Sequence, residues 1–336
     1  MRHPQVVRGQ GAPTMQGERK IPVQVQPKAA DYSYDLDRAI GAVVSLSSRV
    51  PEDGFTAETL GTERAGNAVV IGEDGLVLTV GYLVMEAESV WLTTREGRSV
   101  PGHVLGFDAA TGFGLVQALG DLGTSSLRLG RSSSLKIGDK AVLAGGGGRS
   151  HCVAVEVIAR QEFAGYWEYV LDEALFTAPS HPHWGGTALI GPKGDLLGIG
   201  SLQLQQGGSA AGRAINMVVP IDLLPPILDD LRMRGRADQA PRPWLGIYAT
   251  ESEEGIVIMG LADGGPAEGA GLQGGDVIAA VAGEPIADLA AMFRSIWALG
   301  TAGARIPLTI RRDGRTLLLT IVSGDRHAFL RTPSVH

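Results

Sequence analysis

Ala68-Val-Val-Ile71, Gly72-Glu-Asp-Gly75, Leu76-Val-Leu-Thr79: two apolar runs of mostly aliphatic residues flank a four-residue turn that carries glycine at both ends. Glycine supplies the positive φ that a tight turn needs, and β-branched side chains fit a pleated, half-buried surface. The stretch reads as an antiparallel hairpin. Its neighbours repeat the pattern, with short strands expected at 90–94, 103–107, 114–118, 140–144, 153–159, 187–190, 196–202 and 215–219. Strands so short, numerous and evenly spaced between Gly-rich turns imply a barrel or a sandwich, with two barrels the expectation here.

Beyond the last of these strands the period changes. Residues 221–234 place Leu224, Ile227, Leu228 and Leu231 on one helical stripe, with Pro225 and Pro226 tolerable only in the first turn. A polar, proline-containing linker follows, and a second domain begins near Trp244. Within it, 289–297 carries a helical stripe, and 306–320 reads as a hairpin closing on Asp313-Gly314. Residues 1–35 are polar and without periodicity, which predicts a flexible arm. The resulting division is 1–35 arm, 36–233 barrel domain, 234–242 linker, 243–327 second domain and 328–336 tail.

A chain of 336 residues has room for two such domains. Gly is abundant at 48 residues and 44% of residues are hydrophobic, which suits a turn-rich β protein and excludes a disordered or collagenous one. A net charge of −7 with no Lys/Arg run argues against nucleic acid as a partner. Cys152 is the single cysteine, so no internal disulfide can form. The N-terminal residues as written hold no signal-peptide-length apolar run, and no stretch is long enough for a transmembrane segment. The expectation from these residues is cytoplasmic.

Four segments then carry a resemblance. They are Leu78-Thr-Val-Gly-Tyr-Leu-Val84; Gly106-Phe-Asp-Ala-Ala-Thr-Gly-Phe-Gly-Leu-Val116; Leu129-Gly-Arg-Ser-Ser-Ser-Leu-Lys-Ile-Gly138; and Pro182-His-Trp-Gly-Gly-Thr-Ala-Leu189 followed by Gly194-Asp-Leu-Leu-Gly-Ile-Gly200. In this order and spacing they resemble the HtrA branch of trypsin-like serine proteases. The resemblance implies a mainly β fold, a trypsin-like double β-barrel followed by a PDZ domain, and it implies a periplasmic compartment as the alternative to the cytoplasm. It also assigns positions. Tyr82 stands where the family has its general-base histidine, Gly112 where it has the orienting aspartate, and Trp184 where it has the nucleophilic serine. A phenol titrating near 10 is no base at neutral pH, glycine has no side chain, and indole has no nucleophilic atom. Pro182 occupies the position of one oxyanion-hole donor and has no N–H to give. The expectation is a degenerate site without protease chemistry.

Two polar clusters stand nearby, Ser180 with His181 and His183, and Ser150-His151-Cys152. Neither carries an acidic orienter. The two histidines are too few for a metal site, and no cofactor is expected. Cys152 reads as an inert strand residue.

From Trp244 onward, Trp244-Leu-Gly-Ile247 and Gly264-Gly-Pro-Ala-Glu-Gly-Ala-Gly-Leu-Gln-Gly-Gly-Asp-Val-Ile278 resemble the PDZ domains of the same family. The resemblance implies that Trp244, Leu245, Gly246 and Ile247 form a loop whose N–H groups take a terminal carboxylate. Phe293 and Ile296 would line the groove beside it. The chain is thus expected to bind protein or peptide C-termini without cutting them, as a scaffold, a chaperone-like holder or a regulatory partner of active relatives. A residual endopeptidase and a structural subunit are the competing readings. Tyr32 and Tyr34 stand where such proteins make trimer contacts, so a homo-trimer or hetero-oligomer is also expected.

Overall fold

A computed structural model describes residues 21–206 and 212–331. The chain divides into two compact units. Among the described residues, one holds 21–161, 173–206, 212–238 and 331; the other holds Glu162–Asp172 with Gln239–Leu330.

The first unit is built on two closed six-stranded barrels. Strands β1 (Val43–Arg49), β2 (Glu63–Val70), β3 (Leu76–Val80), β4 (Ser89–Thr93), β5 (Ser99–Phe107) and β6 (Phe113–Ala118) close in the order β1-β2-β3-β6-β5-β4. Strands β7 (Lys140–Ala144), β8 (Cys152–Gly165), β9 (Tyr169–Ala178), β10 (Ala188–Ile190), β11 (Leu196–Gln206) and β12 (Arg213–Pro220) close in the order β10-β11-β12-β9-β8-β7. Closure leaves no unpaired edge: Leu46 of β1 lies opposite Gly66 of β2 on one side and Leu92 of β4 on the other. The hairpin read from residues 68–79 is β2-β3, and all five residues of β3 are buried. Leu143, Val155, Val157, Leu175, Leu189 and Val218 fill the second barrel.

Three expectations need correction. The arm expected to run free to residue 35 is packed from Ile21, whose side chain is 4% exposed in the core of the second barrel. Tyr34 lies over Gly194, where an added Cβ would sit 2.8 Å from its ring. The helix expected over 221–234 is a single turn at Ile221–Leu223, followed by an α-helix only at Leu228–Arg234. Pro225 and Pro226 break what periodicity alone would join, because neither has an N–H to donate to the preceding turn. Strands β1 and β9 had no sequence-based counterpart. Serines in Val43–Arg49 and the Asp172-Glu173 pair within Tyr169–Ala178 interrupt their apolar runs.

The second unit holds β13 (Ile247–Ser252), β14 (Gly255–Leu261), β15 (Val277–Val281), β16 (Glu284–Pro285), β17 (Arg305–Arg312) and β18 (Arg315–Val322). They form one sheet in the order β13-β14-β15-β17-β18, with β16 on β15. Arg312 pairs with Arg315 across Asp313-Gly314, both at positive φ, as the Asp-Gly turn predicts. The helix Leu289–Ala298 starts at Asp288, whose side chain caps the N–H of Ala291 at 2.7 Å. It buries Leu289, Met292, Phe293 and Ile296 against the sheet.

Candidate functional sites

In the two-barrel unit, the three positions singled out by sequence do come together. The N–H of Gly81 donates to the carbonyl of Gly112 at 2.7 Å, which sets Gly112 beside the turn that carries Tyr82. The Tyr82 hydroxyl donates to the carbonyl of Ser201 at 3.0 Å, with the Trp184 side chain beside it. Enclosure pushes the phenol of Tyr82 well above its ordinary value, against the weaker opposing pull of the neighbouring Trp184. Both rings are half-buried. A Cβ added at Gly185 would lie 2.6 Å from the Tyr82 hydroxyl, so no space remains between that phenol and the 182–187 loop.

Asn67, which sequence reasoning passed over, holds this loop. Its Nδ2 donates to the carbonyls of His183 at 2.9 Å and Gly185 at 3.0 Å, while its Oδ1 accepts from the N–H of Gly146 at 2.8 Å. A lone asparagine ahead of the apolar run Ala68-Val-Val70 was the available signal. With the loop so fixed, Pro182 offers no donor beside Trp184. Replacing Trp184 by alanine should cost about 2 kcal/mol, near half the value for a fully buried tryptophan. Urea denaturation measures it; unchanged stability would mean that the indole fills nothing.

The neighbouring polar clusters are committed elsewhere. His181 is 1% exposed. Its Nδ1 accepts from the N–H of His183 at 3.0 Å and its Nε2 meets the carbonyl of His151 at 2.9 Å, which fixes the Nε2–H tautomer. Burial, first among its causes, pushes its pKa down to about 4. A histidine held neutral in this way binds its proton less readily folded than unfolded. Stability is therefore full above the ordinary imidazole range and declines as pH falls from about 6.5 to about 4. Across that window the loss is on the order of 3 kcal/mol, and His181→Gln, which keeps a donor and an acceptor, should flatten it. Parallel pH-dependent melts of the two proteins measure the difference.

Ser180 accepts from Gln203 at 3.1 Å and is not engaged by a histidine in any described bond. Ser150 and His151 share one exposed contact at 3.1 Å. Cys152 is buried, its thiol pushed up to about 12 chiefly by that burial. Among the described residues no group of three or more His, Cys, Asp or Glu is placed to hold a metal ion.

A second candidate site lies in the other unit. The loop Leu245-Gly246-Ile247 does turn its N–H groups to one point, as expected, with Gly246 at φ +76°, a conformation that favours glycine. That point is filled by the carboxylate of Glu168. Its Oε1 accepts from Gly246 at 2.7 Å and Ile247 at 3.0 Å, and its Oε2 from Leu245 at 3.1 Å. Burial pushes Glu168 up to about 7 against the opposing pull of these three N–H groups and of Arg326.

The other expected groove residues are placed differently. Phe293 and Ile296 are wholly buried, in one cluster with Leu245, Ile247 and Val170 of the 162–172 segment, so they line no open groove. Trp244 is also buried, its ring 4.7 Å from that of Phe329 and its backbone paired with Gly324. Trp244 braces the domain rather than facing a ligand. The sequence division assigned residues 162–172 to the barrel domain, but they pack with the second unit because their partners lie about eighty residues ahead.

The comparisons agree with this fold. The family model for a trypsin-like peptidase domain matches residues 66–199, and that for a PDZ domain matches residues 243–322. A chain named as the serine protease HhoA of Synechocystis is 28% identical over 295 residues, covering 80% of this chain and 72% of that one. A DegP-like chain of Halomonas elongata, named as a periplasmic serine endoprotease, is 25% identical over 273 residues, 77% of this chain and 56% of its own. The chain thus carries a trypsin-like peptidase domain and a PDZ domain, and it is similar to HtrA-type proteases. The solved HtrA-type protease AlgW with a tripeptide superposes with a TM-score of 0.51 at 23% identity, covering 92% of this chain and 99% of AlgW. At that identity the likeness concerns the fold: a trypsin-like double barrel and a PDZ domain. The chain spans little more than half the length of the DegP-like relatives. No helix among the described residues is long and apolar enough to cross a membrane.

Proposed function

We propose that this HtrA-type chain is a protease homologue without protease chemistry, which binds protein or peptide C-termini through its PDZ domain. One observation carries the first half: the Tyr82 hydroxyl, bonded to the carbonyl of Ser201, lies against the loop that carries Trp184, where a base and a nucleophile would have to meet, and Gly112 lies beside the turn of Tyr82. Acyl transfer needs a nucleophile, a base, a group that orients the base and two converging N–H donors; Trp184, Tyr82 and Gly112 cannot supply the first three, and Pro182 cannot supply one of the donors. The second half is supported by the three N–H groups of residues 245–247, which converge on a carboxylate. The periplasm, named for the DegP-like relatives, is the compartment this reading favours over the cytoplasm. Scaffolding, chaperone-like holding or regulation of active relatives, in a trimer or mixed oligomer, are the roles such a binder fits.

The test is calorimetry of the full chain with a peptide of about eight residues ending in valine, as free acid and as amide. The acid should bind at least tenfold more tightly, because charge-assisted bonds to the loop are worth about 1.5–3 kcal/mol. Equal binding of the two forms would remove the loop from recognition.

A further inference from the structure

The segment Glu162–Asp172 meets the PDZ domain in the manner of a bound peptide. The carbonyl of Tyr166 accepts from the N–H of Ala249 on β13 at 2.9 Å. Two residues on, the Glu168 carboxylate reaches Ile247, two residues back along β13, together with Gly246 and Leu245. That is the period-two spacing of an added antiparallel strand, ended by a negative charge. Val170 enters the buried cluster that contains Ile247, Phe293 and Ile296. Arg294 of the helix beside the site pairs with Glu162 and Asp172, one on each stem of the segment. Glu168 itself sits at φ +60°, the left-handed region that side-chain-bearing residues seldom take and that persists where surrounding contacts impose it.

We propose that this hairpin tip is a stand-in ligand carried by the chain itself: Glu168 holds the carboxylate seat of the PDZ groove, and a free C-terminus binds by displacing it. The inference rests on the reading of the PDZ domain as a binder of C-termini. It adds that the seat is competed for from within. A tethered carboxylate acts at an effective concentration of millimolar order, and an outside ligand sees its affinity reduced by the fraction of time the seat is free. Only a ligand that brings an apolar last side chain and a strand to pair, besides a carboxylate, replaces everything the hairpin tip supplies.

Glu168→Ala and Glu168→Gln, made in the full chain, test this with the same valine-ended peptide as free acid and as amide. Removing the carboxylate should raise affinity for the free acid at least tenfold over the wild type and, because the same competitor is gone, raise affinity for the amide too, with the acid remaining the tighter binder. The glutamine variant, which keeps size and one acceptor but not the charge, should fall between. It also carries the comparison if thermal melts show that the alanine variant does not fold. Equal affinity of wild type and variants for the free acid would overturn the stand-in while leaving the groove a C-terminus binder. If no variant prefers the acid to the amide, the carboxylate seat itself is refuted, and the stand-in falls with it.

Discussion

Trp184→Ser is expected to gain no measurable proteolysis of casein, although it restores the residue type that a trypsin-like site uses as nucleophile. The new hydroxyl would face the Tyr82 phenol, which already donates to the carbonyl of Ser201 and holds its proton more firmly than a free tyrosine. Loss of one triad serine or histidine costs on the order of a millionfold in rate. The serine variant would still lack the base and the orienter, and Pro182 would withhold an oxyanion donor worth about 3 kcal/mol. Cleavage of fluorescent casein, followed for a day at micromolar protein, measures it. Turnover that survives repurification would mean that Tyr82 or a neighbour can act as the base.

Arg64→Met is expected to cost about 3–5 kcal/mol of stability, the range for removing one member of a buried charged network. Arg64 is 1% exposed, deep in the first barrel. Its guanidinium donates to the carbonyls of Tyr82 and Met85 at 2.9 Å each and of Gly61 at 3.1 Å, and to the Thr56 hydroxyl at 2.7 Å. Thr56 in turn bonds Glu86, a buried carboxylate that also accepts the N–H groups of Phe55 and Thr56. Methionine keeps the stem of the side chain but leaves those acceptors dry and Glu86 without its nearby positive charge. Burial already pulls the Arg64 guanidinium down to about 10, the mark of a cation held where water does not reach. A shift of the urea midpoint with unchanged slope checks the magnitude, and a loss below 1 kcal/mol would show that the network is solvated. Because Arg64 holds the Tyr82 carbonyl, the same substitution should loosen the turn that places the phenol.

Local chemistry made much of this fold legible. Gly72-Glu-Asp-Gly75 and Asp313-Gly314 specify hairpins whatever surrounds them, and the strands they join lie where the apolar runs placed them. At the barrel site the residue types themselves, Tyr82, Gly112, Pro182 and Trp184, could be read directly. What stayed hidden depends on partners far along the chain. Ile21 lies in a polar stretch, and only the second barrel reveals why it is buried. Asn67 reads as one polar residue in a strand until its amide is seen to hold a loop more than a hundred residues on. Glu168 is the clearest case. In Tyr166-Trp-Glu168 it is an ordinary charged turn residue, and only the fold sets it against the N–H groups of Leu245, Gly246 and Ile247. The loop was readable as a carboxylate seat; its occupant was not.

The proposed loss of acyl-transfer chemistry is tested most directly by intact-mass spectrometry of the wild-type chain after incubation with a fluorophosphonate, which labels any serine activated by a base. The expected result is an unchanged mass after hours at a hundredfold excess, with an active trypsin-like protease labelled in parallel. A stoichiometric adduct, mapped to Ser180, Ser150 or any other serine, would contradict it.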